Sequence, residues 1–290
     1  MQKGPTTPKG FRDINPELAK KRRATMNMIA DVLEGFDFVP LETPTVEFAE
    51  TLTGKYGDEE KLIYKFTDRG GRELALRYDL TVPLARYIAN NLNVIANGPF
   101  RRYQTGNVFR GENTQKGRYR EFTQFDMDTI GSTEKREDAK VIAAAIKAAR
   151  KIGLTDAKMA VNDRKNFKDL KIEDIREIDK MYKIGKENIR KDLLEFVEQT
   201  TLTDNLKNIF DILEKEFELK EGKDFFFDPT LARGLDYYTS TILELKPNGR
   251  PEEQSIGGGG RYDELIGMFA ERKIPAVGFS FGIDRIMELI

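Results

Sequence analysis

The chain has 290 residues, 39% hydrophobic and 33% charged, which is enough for a sizeable core in one large domain or one domain with an insertion. Its 48 basic and 49 acidic residues give a net charge of −1, so the overall charge does not favour binding to nucleic acid. The net charge does not exclude local basic patches. The absence of cysteine and histidine excludes disulfides, thiolate metal sites and any catalytic or metal-binding histidine. No apolar run can span a bilayer and no apolar signal core starts the chain, so we expect a cytoplasmic protein without a membrane partner.

The N-terminal third predicts an extended arm, a long helix and a hairpin. Residues 1–14 are rich in Pro, Gly and Lys, and Asn15-Pro16 then marks a helix start that lasts to Gly35. An extended stretch with two prolines, FDFVPLETPTVEF, follows, and turn residues in DRGG predict a hairpin. In LRYDLTVPLARY, Asp79 either caps the next helix or binds a ligand, and both roles stay open.

The stretch from Phe100 to Gly131 predicts two strands joined by a basic loop. Side chains alternate between the two faces of a strand. The second strand would therefore place Phe125, Met127 and Thr129 on an apolar face and Gln124, Asp126 and Asp128 on a polar face open to a ligand. Arginines at positions 110, 118 and 120 border the polar face, and arginine binds phosphate with a planar fork. The hairpin thus predicts a phosphate clamp beside a carboxylate pocket.

The second half of the chain alternates helices and strands. We predict a helix from Ser132 to Ile152, a strand from Lys158 to Asn162, and charged helices over residues 165–222. The remaining predictions are strands at Phe225–Asp228 and Tyr238–Leu245, a turn or pocket floor at Gly257–Gly260, a short helix at Asp263–Phe269, and a strand followed by a helix in PAVGFSFGIDRIMELI.

Several motifs, in this order along the chain, resemble the class II aminoacyl-tRNA synthetases. The helix and the proline-broken strand at Pro44 are similar to motif 1, FRGE-GRYREF-QFDMD to motif 2, and GFSFGIDR to motif 3, with Asp284 where glutamate is more frequent. LARGLDYYT and GGRYD resemble the two peptides specific to histidyl-tRNA synthetases. The resemblance covers nearly all of the chain.

This resemblance implies an α+β fold, in which a mainly antiparallel sheet is flanked by helices. The catalytic domain would comprise residues 1–164 and 223–290, and residues 165–222 would be a helical insertion, which in the family can touch the tRNA acceptor stem. Motif 1 would build a homodimer. Because the chain stops at Ile290, within motif 3, we expect the anticodon-binding domain of the family to be absent and tRNA charging to be weak.

The reaction implied by the resemblance is activation of L-histidine with ATP, supplied as its Mg²⁺ complex, followed by transfer to tRNA(His), with no tightly bound cofactor and no metal site in the protein. Arg110 and Arg233 would flank the α-phosphate, with Arg233 as the catalytic cation. The residues implied for ATP are Arg110, Glu112, Arg118, Phe122 and Arg285. Those implied for histidine are Asp79, Thr81, Gln124, Asp128, Arg233, Tyr237, Tyr238, Gly258 and Gly260.

A second function remains open from the sequence. A synthetase-like regulatory subunit of ATP phosphoribosyltransferase also binds histidine and lacks the anticodon domain, but it does not catalyse the reaction. Arg110, Arg233 and Arg285 are all present here, which favours the enzyme.

Overall fold

The structure is a computed structural model that describes residues 5–114, 117–232 and 237–290. Its first helix, α1, spans Pro16–Glu34. The side chain of Asn15 accepts a hydrogen bond from the Leu18 amide at 2.9 Å, which satisfies one of the free donors at the helix start. Ile29 and Leu33, four residues apart, are fully buried on one face. The predicted arm-then-helix order is confirmed.

A large mixed sheet forms the centre of the fold. Its strands, in sheet order, are β1 (Val39–Pro40), β5 (Phe100–Phe109), β6 (Glu121–Ile130), β11 (Ala276–Gly282), β10 (Gly257–Arg261), β9 (Thr241–Lys246), β7 (Lys158–Asp163) and β8 (Phe225–Phe227). Neighbours are antiparallel except at the two edge pairs, β1–β5 and β7–β8. A smaller antiparallel sheet consists of β2 (Val46–Phe48), β4 (Glu73–Leu76) and β3 (Lys65–Thr67). The predicted α+β class is confirmed.

Helices cover the large sheet. The helices after α1 are α2 (Ala49–Leu52), α3 (Thr81–Asn90), α4 (Lys135–Lys151), α5 (Ile172–Asp179), α6 (Met181–Ile184), α7 (Lys191–Gln199), α8 (Asp204–Lys215) and α9 (Ile283–Met287). Phe125 and Met127 of β6 belong to the main hydrophobic cluster, together with the apolar faces of α1, α4 and α8. The apolar half of the predicted alternation is therefore confirmed. Among the described residues, no helix combines the length and the hydropathy needed to cross a membrane.

Three local predictions need correction. The strand predicted from Tyr238 begins at Thr241, and the helix predicted from Ser132 begins at Lys135. The helix predicted over Asp263–Phe269 is a single 3₁₀ turn, Ile266–Met268. The glycine run, for which a turn remained open, is the central strand β10. Glycine has a low propensity for strands, but pairing with the two neighbouring strands, β9 and β11, outweighs that propensity here.

The helical residues between β7 and β8 pack in two places. Ile178, Met181 and Leu193 form a small cluster of their own. Helix α8 instead packs on α4 and contributes Ile209 and Leu213 to the main core. The division of the chain into a catalytic domain and an insertion at residues 165–222 stays a prediction.

The glycine strand gives a matched pair of variants. A Cβ on Gly259 would lie 2.2 Å from the carbonyl oxygen of Gly278, which is backbone of the neighbouring strand, whereas a Cβ on Gly258 would meet only the Leu243 carbonyl oxygen at 3.4 Å. We expect Gly259→Ala to lower the free energy of unfolding by about 3 kcal/mol and Gly258→Ala by less than about 1 kcal/mol, since overpacking a rigid site costs most. Urea denaturation measures both, and equal losses would contradict this account.

Candidate functional site

The polar face of the hairpin β5–β6 carries a row of facing side chains. Residues directly opposite in an antiparallel pair lie on the same face of the sheet. The register pairs Gln104 with Asp126 and Arg102 with Asp128, and β11 adds Ser280 beside Asp126. The face predicted to be open is in fact covered, because Asp126 and Asp128 are only 2% and 3% exposed. The site is therefore an enclosed pocket.

This pocket joins four of the predicted histidine-binding residues. Its lining comprises Thr81, Asp126, Asp128, Tyr238, Gly258, Tyr262, Gly278, Phe279 and Ser280. Thr81, Asp128, Tyr238 and Gly258 belong to the predicted set. Gly260 is not one of these lining residues but lies next to one of them, because a Cβ added to Gly260 would come within 2.9 Å of the Tyr238 ring.

Asp128 is held by two buried groups that sequence reasoning did not assign to the site. Its Oδ2 lies 2.8 Å from Nη2 of Arg102, and the hydroxyl of Tyr262 donates a hydrogen bond to its Oδ1. Burial raises the pKa of Asp128, although Arg102 and the Tyr262 hydrogen bond act in the opposite direction. A Cβ on Gly278 would lie 1.8 Å from Oδ1, so only glycine leaves room for this carboxylate. Asp128 is thus fixed in position before any ligand arrives.

Asp126 is the other carboxylate of the pocket, and sequence reasoning placed it on the polar face without giving it a role. Burial and, to a smaller extent, the charge of Asp128 together raise the pKa of Asp126 to about 7, against the opposing influence of Arg102. Its Oδ1 is buried without a hydrogen-bond partner among the described residues. An unpaired buried acceptor is costly, so this oxygen is available to a donor on a ligand.

Asp79 lies deep beside the pocket and performs the capping role that was left open. Its Oδ1 accepts from the amides of Thr81 and Val82 at 3.1 and 2.9 Å, at the start of α3. The hydroxyls of Tyr56 and Tyr237 donate to the same carboxylate at 3.1 and 3.5 Å. Burial raises the pKa of Asp79, while the Val82 amide and Arg110 lower it. Its predicted contact with the amino group of histidine stays a prediction.

Gln124 lies on β6 two residues before Asp126, nearer the loop that joins β5 and β6. Its Nε2 donates to the hydroxyl of Ser280 at 2.8 Å, and its Oε1 is buried without a partner within the described part of the chain. Gln124, Asp126 and Asp128 therefore present successive polar atoms along one strand. The alternation rule could have indicated Asp126, but the sequence does not reveal that β11 supplies Ser280 and Gly278.

Arg110 lies at the end of β5 against two aromatic rings. Its guanidinium carbon is 4.2 Å from the ring centre of Tyr78 and 5.1 Å from that of Phe122, and its Nε donates to the Tyr78 carbonyl at 3.1 Å. Burial disfavours its charged form, but Asp79 and the other nearby acidic groups hold the pKa of Arg110 above its usual value. A guanidinium beside two aromatic rings can pair with a phosphate while a ring stacks on a base.

The remaining predicted ATP residues lie around the same end of the sheet. Arg118 forms an ion pair with Glu112, so two predicted ligands bind each other in this structure. Arg285 donates from Nη1 to the Ser255 carbonyl at 2.9 Å. Arg233, the predicted catalytic cation, lies outside the described residues.

A large, mainly antiparallel sheet flanked by helices is the fold of the class II aminoacyl-tRNA synthetases, and solved histidyl-tRNA synthetases share it with this chain. The family model described as histidyl-tRNA synthetase matches residues 10–176 and 163–286. The chain therefore belongs to the histidyl-tRNA synthetase family.

Named relatives and solved structures agree with this assignment. A histidine–tRNA ligase of Aeropyrum pernix is 40% identical over 98% of this chain and 74% of its own length, and that of Korarchaeum cryptofilum is 35% identical over 97% and 74%. A crystal structure of histidyl-tRNA synthetase from Nostoc sp. is 28% identical with a TM-score of 0.83, covering 99% of this chain and 75% of that one. A Bacillus halodurans structure described as an ATP phosphoribosyltransferase regulatory subunit/histidyl-tRNA synthetase is 25% identical with a TM-score of 0.80, covering 98% and 82%.

The raised pKa of Asp126 predicts a pH-dependent stability. An acid whose pKa is higher in the folded chain contributes stability at low pH, and this is lost as the pH rises from about 4 through about 7. We expect Asp126→Asn, which removes the buried charge, to raise the Tm of the ligand-free chain by on the order of 5 °C at pH 8 and by little at pH 5. Thermal melts across pH measure this difference.

The control is Asp156→Asn at an exposed turn. We expect the Tm of Asp156→Asn to equal that of the wild type at both pH 5 and pH 8. An Asp126→Asn offset that is the same at pH 5 and pH 8 would show that packing, and not charge, is the cause.

Proposed function

We propose that this protein activates L-histidine with ATP and transfers the activated amino acid to tRNA(His), in the cytoplasm. The observation that carries the proposal is the continuity of the site along one hairpin. Asp128 and Asp126 lie in the enclosed pocket, and Arg110 with Phe122 lies at the loop end of the same two strands. An amino acid and a nucleotide can thus be held side by side.

In the first step, a carboxylate oxygen of histidine attacks the α-phosphorus of ATP, and the bond to the bridging oxygen breaks to release pyrophosphate. In the second, a terminal ribose hydroxyl of tRNA(His) attacks the acyl carbon, loses its proton, and AMP leaves. No protein nucleophile is required, so catalysis consists of positioning and charge neutralisation. The absence of histidine and cysteine side chains is compatible with this chemistry.

The pocket supports distinct roles for its polar groups. Asp128, fixed by Arg102 and Tyr262, would accept a hydrogen bond from the imidazole N–H. Asp79, Thr81 and Gln124 would hold the α-amino end. A buried polar site of this kind rejects ligands that leave its groups unpaired, which would give selectivity for histidine.

At the nucleotide end, Phe122 would stack on the adenine and Glu112 would hold it. Arg110 and Arg233 would neutralise the α-phosphate, and Arg118 and Arg285 the outer phosphates of the ATP–Mg²⁺ substrate complex. For Arg118 to reach a phosphate, its ion pair with the largely buried carboxylate of Glu112 must open.

Histidine-dependent ATP–pyrophosphate exchange tests the proposal, with aminoacylation of tRNA(His) measured on the same preparation. Exchange that requires histidine and no other amino acid is the expected result. A folded chain that binds histidine but shows no exchange would overturn the proposal in favour of the regulatory subunit.

The role proposed for Arg233 predicts a large kinetic effect. Removing one well-placed donor to the transition state typically costs about 100-fold or more in rate. We expect Arg233→Ala to lower the exchange rate by this factor while histidine binding, measured by calorimetry, weakens less. Near-normal exchange in the variant would exclude the role.

We also propose that the chain is a homodimer formed through the motif 1 helix and the strand around Pro44, together with the small sheet that follows them. Phe48 and Phe66 both face Leu74 across the small sheet, and Val46 faces Leu76 on the next paired rung. Phe48 and Phe66 are 50% and 42% exposed. An apolar strip on a sheet of this kind fits a second copy of the chain across a two-fold axis.

Analytical ultracentrifugation checks the dimer. We expect Phe48→Glu to convert the dimer to a monomer. The two-fold axis would bury the new carboxylate of each protomer at the interface without a partner of opposite charge. Ile172→Glu is the matched control, since Ile172 is an apolar residue of α5 with 68% exposure outside the strip. A dimer that persists in Phe48→Glu would place the interface elsewhere.

A further inference from the structure

The N-terminal segment at residues 8–12, here called the strap, runs along the last part of the loop between β5 and β6. The carbonyl oxygen of Gly10 accepts from the amides of Arg120 and Glu121 at 2.9 and 3.4 Å. The carbonyl oxygen of Lys9 accepts from Nη1 of Arg120 at 3.4 Å. The strap therefore fixes the backbone where the loop enters β6.

Close approach at this point requires glycine. Gly10 has a φ of +89°, and a Cβ there would lie 2.7 Å from Cγ of Arg120 and 2.8 Å from Cγ2 of Thr114. A side chain would be strained by the backbone angle and would collide with the loop. The sequence thus favours direct backbone contact between the strap and the loop.

Arg12 connects the strap to both sides of the ATP end. Its guanidinium carbon lies 3.7 Å from the ring centre of Tyr119, and the same group forms an ion pair with Asp284. Tyr119 immediately follows Arg118, and Asp284 immediately precedes Arg285. One side chain thus contacts the direct neighbours of both arginines that are assigned to the outer phosphates.

The ion pair of Arg12 is not needed to neutralise Asp284. Arg22 of α1 lies 2.6 Å from the same carboxylate, and the Thr123 amide donates to it at 2.7 Å. Arg22 is also the more buried partner, with 10% of its side chain exposed compared with 28% for Arg12. Loss of Arg12 would leave Asp284 paired, so the fold should tolerate it.

We infer that Arg12 is a positioning residue that holds the segments carrying Arg118 and Arg285 at a fixed separation, and thereby sets the affinity for the outer phosphates of ATP. This inference rests on the proposed function. It adds a requirement that the strap, which supplies none of the residues proposed to bind ATP, contributes to binding of the triphosphate.

The test compares Arg12→Gln with Arg23→Gln, a substitution of the same kind at an exposed position of α1. We expect the KM for ATP in the exchange reaction to rise about tenfold in Arg12→Gln, because a stacked, charge-paired guanidinium contributes on that order. The KM for histidine and the Tm should stay close to wild type. Arg23→Gln should change neither KM.

Adenosine is the decisive probe. It lacks phosphates, so its inhibition constant should be the same in Arg12→Gln and in the wild type, while ATP binding measured directly by calorimetry weakens. Tyr119→Leu, which removes the other partner and leaves the ion pair with Asp284, should weaken ATP in the same way. The double variant should bind ATP no more weakly than either single variant, because both substitutions break the same connection between Arg12 and Tyr119.

The outcomes separate this inference from the function on which it rests. A wild-type chain without histidine-dependent exchange would contradict the proposed function. An active wild type with unchanged ATP affinity in Arg12→Gln, or with ATP and adenosine weakened equally, would overturn the strap's role. Equal rises in the KM for ATP and histidine together with a lower Tm would show that Arg12 is only structural.

Discussion

The buried ion pair between Arg102 and Asp128 is the constraint on which the rest of the site depends. Both side chains are almost inaccessible, and removing one partner of such a pair typically costs about 3–5 kcal/mol. Arg102 also donates to the Leu80 carbonyl at 3.3 Å, just before α3, and Asp128 accepts from Tyr262, just after β10. The pair therefore ties β5, β6, the start of α3 and the end of β10 together around one pocket.

The same pair leaves an electrostatic imbalance that suits a ligand donor. One guanidinium serves two carboxylates, and Asp128 has the direct contact while Asp126 keeps an oxygen without a partner among the described residues. Burial, and to a smaller extent the nearby charge of Asp128, raises the pKa of Asp126 to about 7 despite the opposing charge of Arg102. In the proposed function, a histidine molecule bound in the pocket would offer N–H donors from its ring and its ammonium group to this oxygen of Asp126.

Much of the fold was predictable because its signals are local. The cap at Asn15, the alternation in β6 and the strand–helix order of motif 3 depend on neighbouring residues. The resemblance to known motifs supplied the site residues, of which Thr81, Asp128, Tyr238 and Gly258 line one pocket. Arg102, Gly278 and Ser280 were missed because their place depends on strand register between distant segments. The glycine strand was ambiguous for the same reason, since its neighbours on both sides, not its composition, make it a strand.

The two ends of the site differ in how their charges are held, and this difference fits the two substrates of the proposed function. At the closed end, Arg102 is fully buried and Asp128 is locked by glycine and tyrosine neighbours, so the geometry is set before binding and can discriminate between similar side chains. At the open end, the Arg118 side chain is half exposed and is paired with the carboxylate of Glu112. The proposed function requires this end to hold three phosphates in one geometry. In the function and the strap role proposed above, the backbone contacts at Gly10 and the guanidinium of Arg12 stacked on Tyr119 would hold the segments that carry Arg118 and Arg285 in place for the phosphates.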